Sequence, residues 1–419
     1  MVIGESLMKI VVKVRDAVAL ARRFEESPRE AMKEVVLQAK EGIREALQEV
    51  MEAEIGLFLG QAVELENKRN GYTTRTFAVK GLGALQFRVP RDRASRFQTN
   101  VVPAGKQLDE DLERDLALLQ VAGLSTRTLA QMSHTIFGIK VSHMEVSRAM
   151  ATLVPSAKAF LDRPLDSHRY KYLYVDGTYF HVRRLTVEME PTLVVLGVDE
   201  QDRRSVLAMV QGDKDAVDAW RMVFVSLKER GLDPTAVQLG IMDGLPGLQT
   251  AFREAFRNAR TARCWVHKAR NVMARVPRRY QLEFKKSWDS VAYASDGMVA
   301  REAFAELKTK WKAPCGDAIE VFERDLETLF AHYDFPPQHW DALRTTNPIE
   351  RINKEFKRRS KAMEVVGPET LKVLLAFTAL RLEFGWSTTT ICSSKLANLS
   401  RRVQRERELK DSVVKGLVN

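Results

Sequence analysis

The chain has 419 residues, 45% hydrophobic and 29% charged, a balance that excludes a disordered chain and is enough for two or more cored domains. Lysine and arginine number 66 against 55 acidic residues, for a net charge of +11, so a polyanionic partner is expected, nucleic acid before an anionic membrane surface. Cys264, Cys315 and Cys392 are too few and too scattered for a disulfide framework. Neither the opening MVIGESLMKIVVKVRD nor the run VLLAFTAL at 373–380 reads as a secretion signal or a membrane span. A soluble, cytoplasmic protein is the expectation.

Residues 28–59 place Met32, Val35, Val36, Ala39, Ile43, Ala46, Leu47, Val50 and Met51 at helical spacing, and Ser27, Pro28 and Glu30 have the layout of a capping box with proline first. The stripe serves either its own domain or a dimer contact. From Thr74 the period falls to two: Phe77 and Val79, then Leu85, Phe87 and Val89, around the turn KGLG, predict a β-hairpin that Pro90 ends. RDRASRF beyond it is basic, a solvated loop or a stretch along a phosphate backbone. Residues 109–153 read as three short helices, the last two as a helix-turn-helix. Leu129, Met132 and Ile136 line its first helix, Gly138 allows the turn, and Ser142 with Glu145 caps a recognition helix exposing His143, Ser147 and Arg148. Helical hairpins that never touch DNA share that pattern.

After residue 170 the texture is mixed α/β. Strands are predicted at 172–180, 192–198, 205–210, 237–242 and 261–266, and helices at 215–230 and 248–258. Three consecutive strands followed by alternation imply two antiparallel connections and then crossovers, hence a mixed sheet covered by helices. Two of these strands carry an Asp before Gly: Asp176–Gly177 and Asp243–Gly244. One such pair is an ordinary turn former. Two on neighbouring strands would converge, and their repulsion calls for a hard cation such as Mg²⁺ or Mn²⁺. A third acid is sought in TTNPIERINKEFKRRSKAMEVVG. Glu350 there points either to the metal or back to cap the helix, and Glu355 is a rival one turn later.

The strings YVDGTYFHVRR, GIMDGLPGLQTAF, CWVHKARNVMARVP and TTNPIERINKEFKRRSK, in that order, resemble the Mutator-like group of bacterial insertion-sequence transposases. NGYTTRTFAVKGLGALQFRVPRDR and GLSTRTLAQMSHTIFG resemble its N-terminal segments, so the likeness covers most of the chain. The resemblance implies a DDE transposase with a ribonuclease-H-like core, its triad on Asp176, Asp243 and Glu350, and an all-α insertion domain filling the interval before the glutamate. It also implies two divalent ions, Mg²⁺ or Mn²⁺, held by the triad about 4 Å apart. Double-stranded DNA, as element ends and target, is the implied partner, with a homodimer in synapsis and a bacterial, nucleoid-associated location.

The organisation expected is a helical region at 1–68, hairpin and linker at 69–106, helix-turn-helix at 107–165, catalytic core at 166–271 and 344–395, insertion at 272–343, and a basic tail at 396–419. Family members carry Cys or Asp three positions before a His, matched by Cys264 and His267. As chemistry this is half a zinc site without a second pair, so a structural or DNA-positioning role is preferred. Asp215 stands where the family pattern has Glu ahead of a Trp. Lys268, Arg270 and Arg275, then Arg351, Lys354, Lys357, Arg358, Arg359 and Lys361, and finally Arg401, Arg402, Arg405 and Arg407 read as strand-tracking surface. Trp288, Trp311 and Trp340 either pack in a core or stack on a displaced base. The alternatives are a ribonuclease-H-like nuclease or resolvase that cuts without joining, and a regulator whose acids only make turns.

Overall fold

The computed structural model describes residues 16–61, 67–137, 139–361, 363, 365–386 and 389–391. Two units emerge, Met1–Gln120 with Leu124–Thr152, and Val121–Gly123 with Leu153–Asn419. Gly138, Cys392 and the basic tail lie outside the described residues.

In the first unit, α1 (Ala17–Glu26) is capped by the Asp16 side chain, and Pro28 opens α2 (Pro28–Gln61). Glu30 takes the Lys33 ammonium. Only the C-terminal part of the predicted stripe is buried: Met51 packs on Phe77, Leu85, Phe87 and Val89, whereas Met32 and Val36 are exposed. Those four residues belong to the hairpin β1 (Arg69–Val79) and β2 (Gly83–Asp92), whose turn uses left-handed φ at Gly81 and Gly83. Pro90 does not end β2. It pairs opposite Tyr72, which a proline can do in a two-stranded ribbon because its missing N–H has an unpaired side to face. The strand stops at Asp92, whose buried carboxylate accepts the N–H groups of Arg96 and Phe97 and turns RDRASRF back on itself.

The three short helices form as α3 (Glu110–Val121), α4 (Thr126–Phe137) and α5 (His143–Ala151). The Ser142–Glu145 capping box is present in both directions. The inner line of α4 is Leu129 and Ser133, one turn apart; Met132 and Ile136, expected there, are exposed. Ser133 is drawn inside because its hydroxyl accepts the Val141 N–H at 3.0 Å. His143, Ser147 and Arg148 are exposed.

The second unit opens with α6 (Val154–Leu161), then β3 (Tyr170–Arg183), β4 (Val187–Asp199), β5 (Arg204–Gln211), α7 (Val217–Glu229), β6 (Leu239–Met242), α8 (Pro246–Ala255) and β7 (Arg260–Arg263). The strands make one mixed sheet in the order β5-β4-β3-β6-β7, antiparallel through β3, β4 and β5 and parallel from β3 to β6 to β7. This is the pattern read from three strands followed by alternation. The last strand is shorter than predicted: it stops at Arg263, and Cys264 is the N-cap of α9 (Trp265–Met273). TARCWV alternates like a strand, but Trp265 is committed to a helical core and turns the chain.

Between β7 and α15 every described element is helical: α9, α10 (Gln281–Ala292), α11 (Gly297–Trp311), α12 (Gly316–Glu323), α13 (Leu326–Phe330) and α14 (Trp340–Leu343), with short 3₁₀ turns. Trp265, Trp288, Trp311, Phe322 and Phe330 share their core, so Trp288 and Trp311 are packing residues and present no face to a base. Trp340 is half-buried and donates to the Phe335 carbonyl.

The chain then returns to the sheet as α15 (Asn347–Lys361) and α16 (Pro368–Trp386). Alternation along β3 sends Leu173 and Val175 to one face, against Trp220 and Phe224 of α7 and Leu248 and Phe252 of α8. Tyr172 and Tyr174 go to the other, against Ile349, Ile352 and Phe356 of α15 and Leu371 and Leu375 of α16. Gly240 on β6 leaves room for the Phe252 ring, which an added Cβ would meet at 2.3 Å.

Candidate active site

Asp176 sits within β3, two residues beyond Tyr174 and therefore on the face that α15 covers. Its neighbour Val175 pairs in register with Met242, the last residue of β6, so Asp243 leaves that strand beside Asp176. The first turn of α15 brings Glu350. Asp176 Oδ1 accepts the Gly177 N–H at 2.9 Å and Oδ2 accepts the Asn353 amide at 2.8 Å. Burial lifts the Asp176 carboxyl to about 6, opposed by His267 and the Gly177 N–H and reinforced by Asp243 and Glu350. The hydrogen bonds and the neighbouring His267 thus offset only part of the desolvation of this strand-interior carboxylate, and its pKa stays raised. Gly177 is needed for space: a Cβ there would meet the Lys214 side chain at 2.8 Å.

Glu350 does not cap its helix. The Asn347 N–H goes to the Thr345 hydroxyl, while Glu350 Oε1 accepts from the Thr346 hydroxyl at 2.9 Å and lies 3.9 Å from His267 Nε2. The rival Glu355 is occupied by Arg358, Arg359 and Arg381. Asp215 is exposed, and its carbonyl oxygen lies where a Cβ on Gly247 would come within 2.8 Å.

Cys264 and His267 stand on the first turn of α9 beside this group. The Thr346 N–H reaches Cys264 Sγ at 3.3 Å and the Thr346 hydroxyl lies 3.1 Å from it. His267 is raised to about 9, first by its hydrogen bond with Cys264, against burial, then by the charges of Cys264, Asp243 and Glu350. Burial pushes the Cys264 thiol up, but hydrogen bonds from His267 and Thr346 outweigh it and leave its pKa lowered. One atom each of Cys264, His267 and Glu350 lies within 4.8 Å of the others. Thr346 links two of the three, its N–H and hydroxyl lying against Cys264 Sγ and its hydroxyl donating to Glu350.

Two residues expected to touch DNA are buried. Cys264 is fully buried, and Lys268, 1% exposed, is ion-paired with Asp325 just before α13, which also takes the Arg263 guanidinium. Arg263 in turn lies where a side chain on Gly244, next to Asp243, would be. Arg270, Arg351, Lys354 and Arg358 are exposed; His267 and Arg359 are half-buried, the latter paired with Glu355. Asn353 escaped the sequence reading. Its only signal was its place one turn beyond Glu350 on the same helix face.

The family description "Transposase, Mutator family" matches residues 15–382. The transposase for insertion sequence element ISRM5 of Rhizobium meliloti is 30% identical over 363 residues, covering 84% of this chain and 90% of the relative. That for IS905 of Lactococcus lactis is 28% identical over 322 residues, covering 75% and 81%. Among solved structures, a Drosophila P element transposase strand transfer complex aligns at TM-score 0.40 and 10% identity over 72% of this chain and 95% of that one. The chain belongs to the Mutator family of transposases.

Proposed function

We propose that this transposase is a DDE enzyme with a ribonuclease-H-like core, in which Asp176, Asp243 and Glu350 hold divalent ions, Mg²⁺ or Mn²⁺, for DNA strand cleavage and joining. The observation that carries the reading is the register of β3 and β6, which sets Asp176 and Asp243 side by side under the start of α15. The donor set fits the metal. All three groups offer oxygen, the choice of hard cations, and the lift of Asp176 to about 6 marks a place where added positive charge is favourable. When bound, such ions activate the attacking oxygen and stabilise the leaving one.

The chain's own residues do the rest. Gly177 and Asn353 fix the Asp176 carboxylate, and Thr346 fixes Glu350. His267, half-buried and with its pKa raised first by its hydrogen bond with Cys264, offers a ring N–H to a phosphate oxygen. Exposed Arg270, Arg351, Lys354 and Arg358 follow the backbone, and α4 and α5, with Arg148, contact the element ends. Water attack on phosphorus breaks the P–O3′ bond and frees a 3′-hydroxyl. That hydroxyl then attacks a target phosphorus, whose own O3′ leaves. Two chains, one per end, are expected in synapsis.

The test is cleavage and strand transfer on duplexes carrying the element's ends, with Mg²⁺ or Mn²⁺. Joined products that vanish in Glu350→Gln and persist in Glu355→Gln support the assignment. The reverse pattern moves the third acid to Glu355, and cutting without any joining favours a nuclease.

A further inference from the structure

Asn353 is 6% exposed and lies on α15, three residues after Glu350. Its Nδ2 donates to Asp176 Oδ2 at 2.8 Å. Its Oδ1 is buried and has no hydrogen-bond partner among the described residues. The amide cannot be turned to relieve this, because Oδ1 would then face the carboxylate oxygen, two acceptors with no proton between them. A buried carbonyl oxygen without a donor is unfavourable, because it has given up its hydrogen bonds to water and gained none. Orphans of this kind call for a missing water or ion. Other buried oxygens of the sheet also lack partners, Thr178 Oγ1 and Thr192 Oγ1 among them, but Asn353 is the side chain that also holds the Asp176 carboxylate.

We propose that Asn353 is a positioning residue of the metal centre: Nδ2 sets the Asp176 carboxylate, and Oδ1 accepts a hydrogen bond from a water in the bound ion's hydration shell. The inference rests on the metal-binding reading of Asp176, Asp243 and Glu350. Small divalent cations keep several waters, and those waters, polarised by the ion, are strong donors. One amide therefore ties the ligand and the hydration shell together, and each satisfies a group the other leaves open. Groups acting on a metal through its ligands typically change affinity by about 10–100-fold when removed.

The experiment uses the full chain without DNA and Mn²⁺ alone as the probe, with free Mn²⁺ read from its electron paramagnetic resonance signal. Wild type is expected to bind Mn²⁺ in a manner lost in Asp243→Asn. Asn353→Leu and Asn353→Ala, which remove the acceptor, are expected to bind about 10–100-fold more weakly. Asn353→Asp, which keeps an acceptor oxygen but loses the Nδ2 donor to Asp176, is expected to bind more tightly than the leucine and alanine variants. A merely structural asparagine would be disturbed by the aspartate as much as by the leucine, so equal loss in all three variants overturns the acceptor role. Binding by the leucine and alanine variants within about twofold of wild type overturns the proposal altogether. If wild type shows no carboxylate-dependent binding, the metal centre itself fails and Asn353 with it. Melting curves in EDTA identify any variant that has not folded; if Asn353→Leu is one, the Ala and Asp pair decides.

Discussion

Asp325 ties the helical segment to the five-stranded sheet by holding two cations, Lys268 on α9 and Arg263 at the end of β7. The Lys268 side chain is 2% exposed and that of Asp325 is 16%. Burial lowers the Lys268 pKa and the Asp325 carboxylate restores part of it. Removing the carboxylate strands a buried ammonium, a change worth about 3–5 kcal/mol in comparable pairs. Because Asp325 retains some water contact, about 3 kcal/mol is expected for Asp325→Ala. Lys268→Met removes the stranded charge instead, and Asp325 keeps Arg263, so its effect is expected within about 1 kcal/mol of zero. The double variant should then be more stable than Asp325→Ala alone. Urea unfolding followed by tryptophan fluorescence reads this, since Trp265, Trp288 and Trp311 all lie in the helical core concerned. A shift below about 0.5 kcal/mol in Asp325→Ala, or a Lys268→Met effect equal to it, would refute the reasoning that an uncompensated buried charge sets the loss.

Burial holds the His332 imidazole down to about 4, while its Nδ1 keeps the Leu329 carbonyl at 2.8 Å. Above the unfolded value of about 6.5 neither state is protonated and stability is at its full level; below it the unfolded chain takes up a proton that the folded chain refuses. Stability should fall by roughly 1.4 kcal/mol per pH unit between about 6.5 and 4, and His332→Asn should flatten that slope; an unchanged slope assigns the acid sensitivity elsewhere. Gly240→Ala drives a Cβ to 2.3 Å from the Phe252 ring, which Phe224 and Phe256 hold from other sides. A loss of about 1–3 kcal/mol is expected from the overpacking, and a melting temperature equal to wild type would show that the ring can yield.

The sheet was legible because its period is simple. Strand alternation from Tyr172, and the change to alternating strands and helices after Val210, gave the order of connections, and the paired Asp–Gly steps marked where two acids meet. What stayed hidden depends on partners far away in sequence. Lys268 reads as a surface cation until Asp325, 57 positions on, is seen to bury it. Asn353 is an unremarked amide until Asp176, 177 positions earlier, receives it. Cys264 alternates like a strand residue, and only the packing of Trp265 decides that the strand has ended. Pro90 misled because a proline stops a central strand but not one side of a two-stranded ribbon. For Met132 and Ile136 the apolar spacing was real, yet the Ser133 hydroxyl bond to Val141 fixed which line of α4 faces inward.

The central claim is that Asp176 sits in β3 to hold a catalytic metal ion. Its most direct test compares wild type with Asp176→Asn on duplexes carrying the element's ends, measuring end binding and joined product with Mg²⁺ or Mn²⁺ side by side. The isosteric amide keeps the size of the side chain and should leave end binding nearly unchanged while metal-dependent cleavage and joining disappear. Substantial joined product from Asp176→Asn under the same conditions would contradict the account.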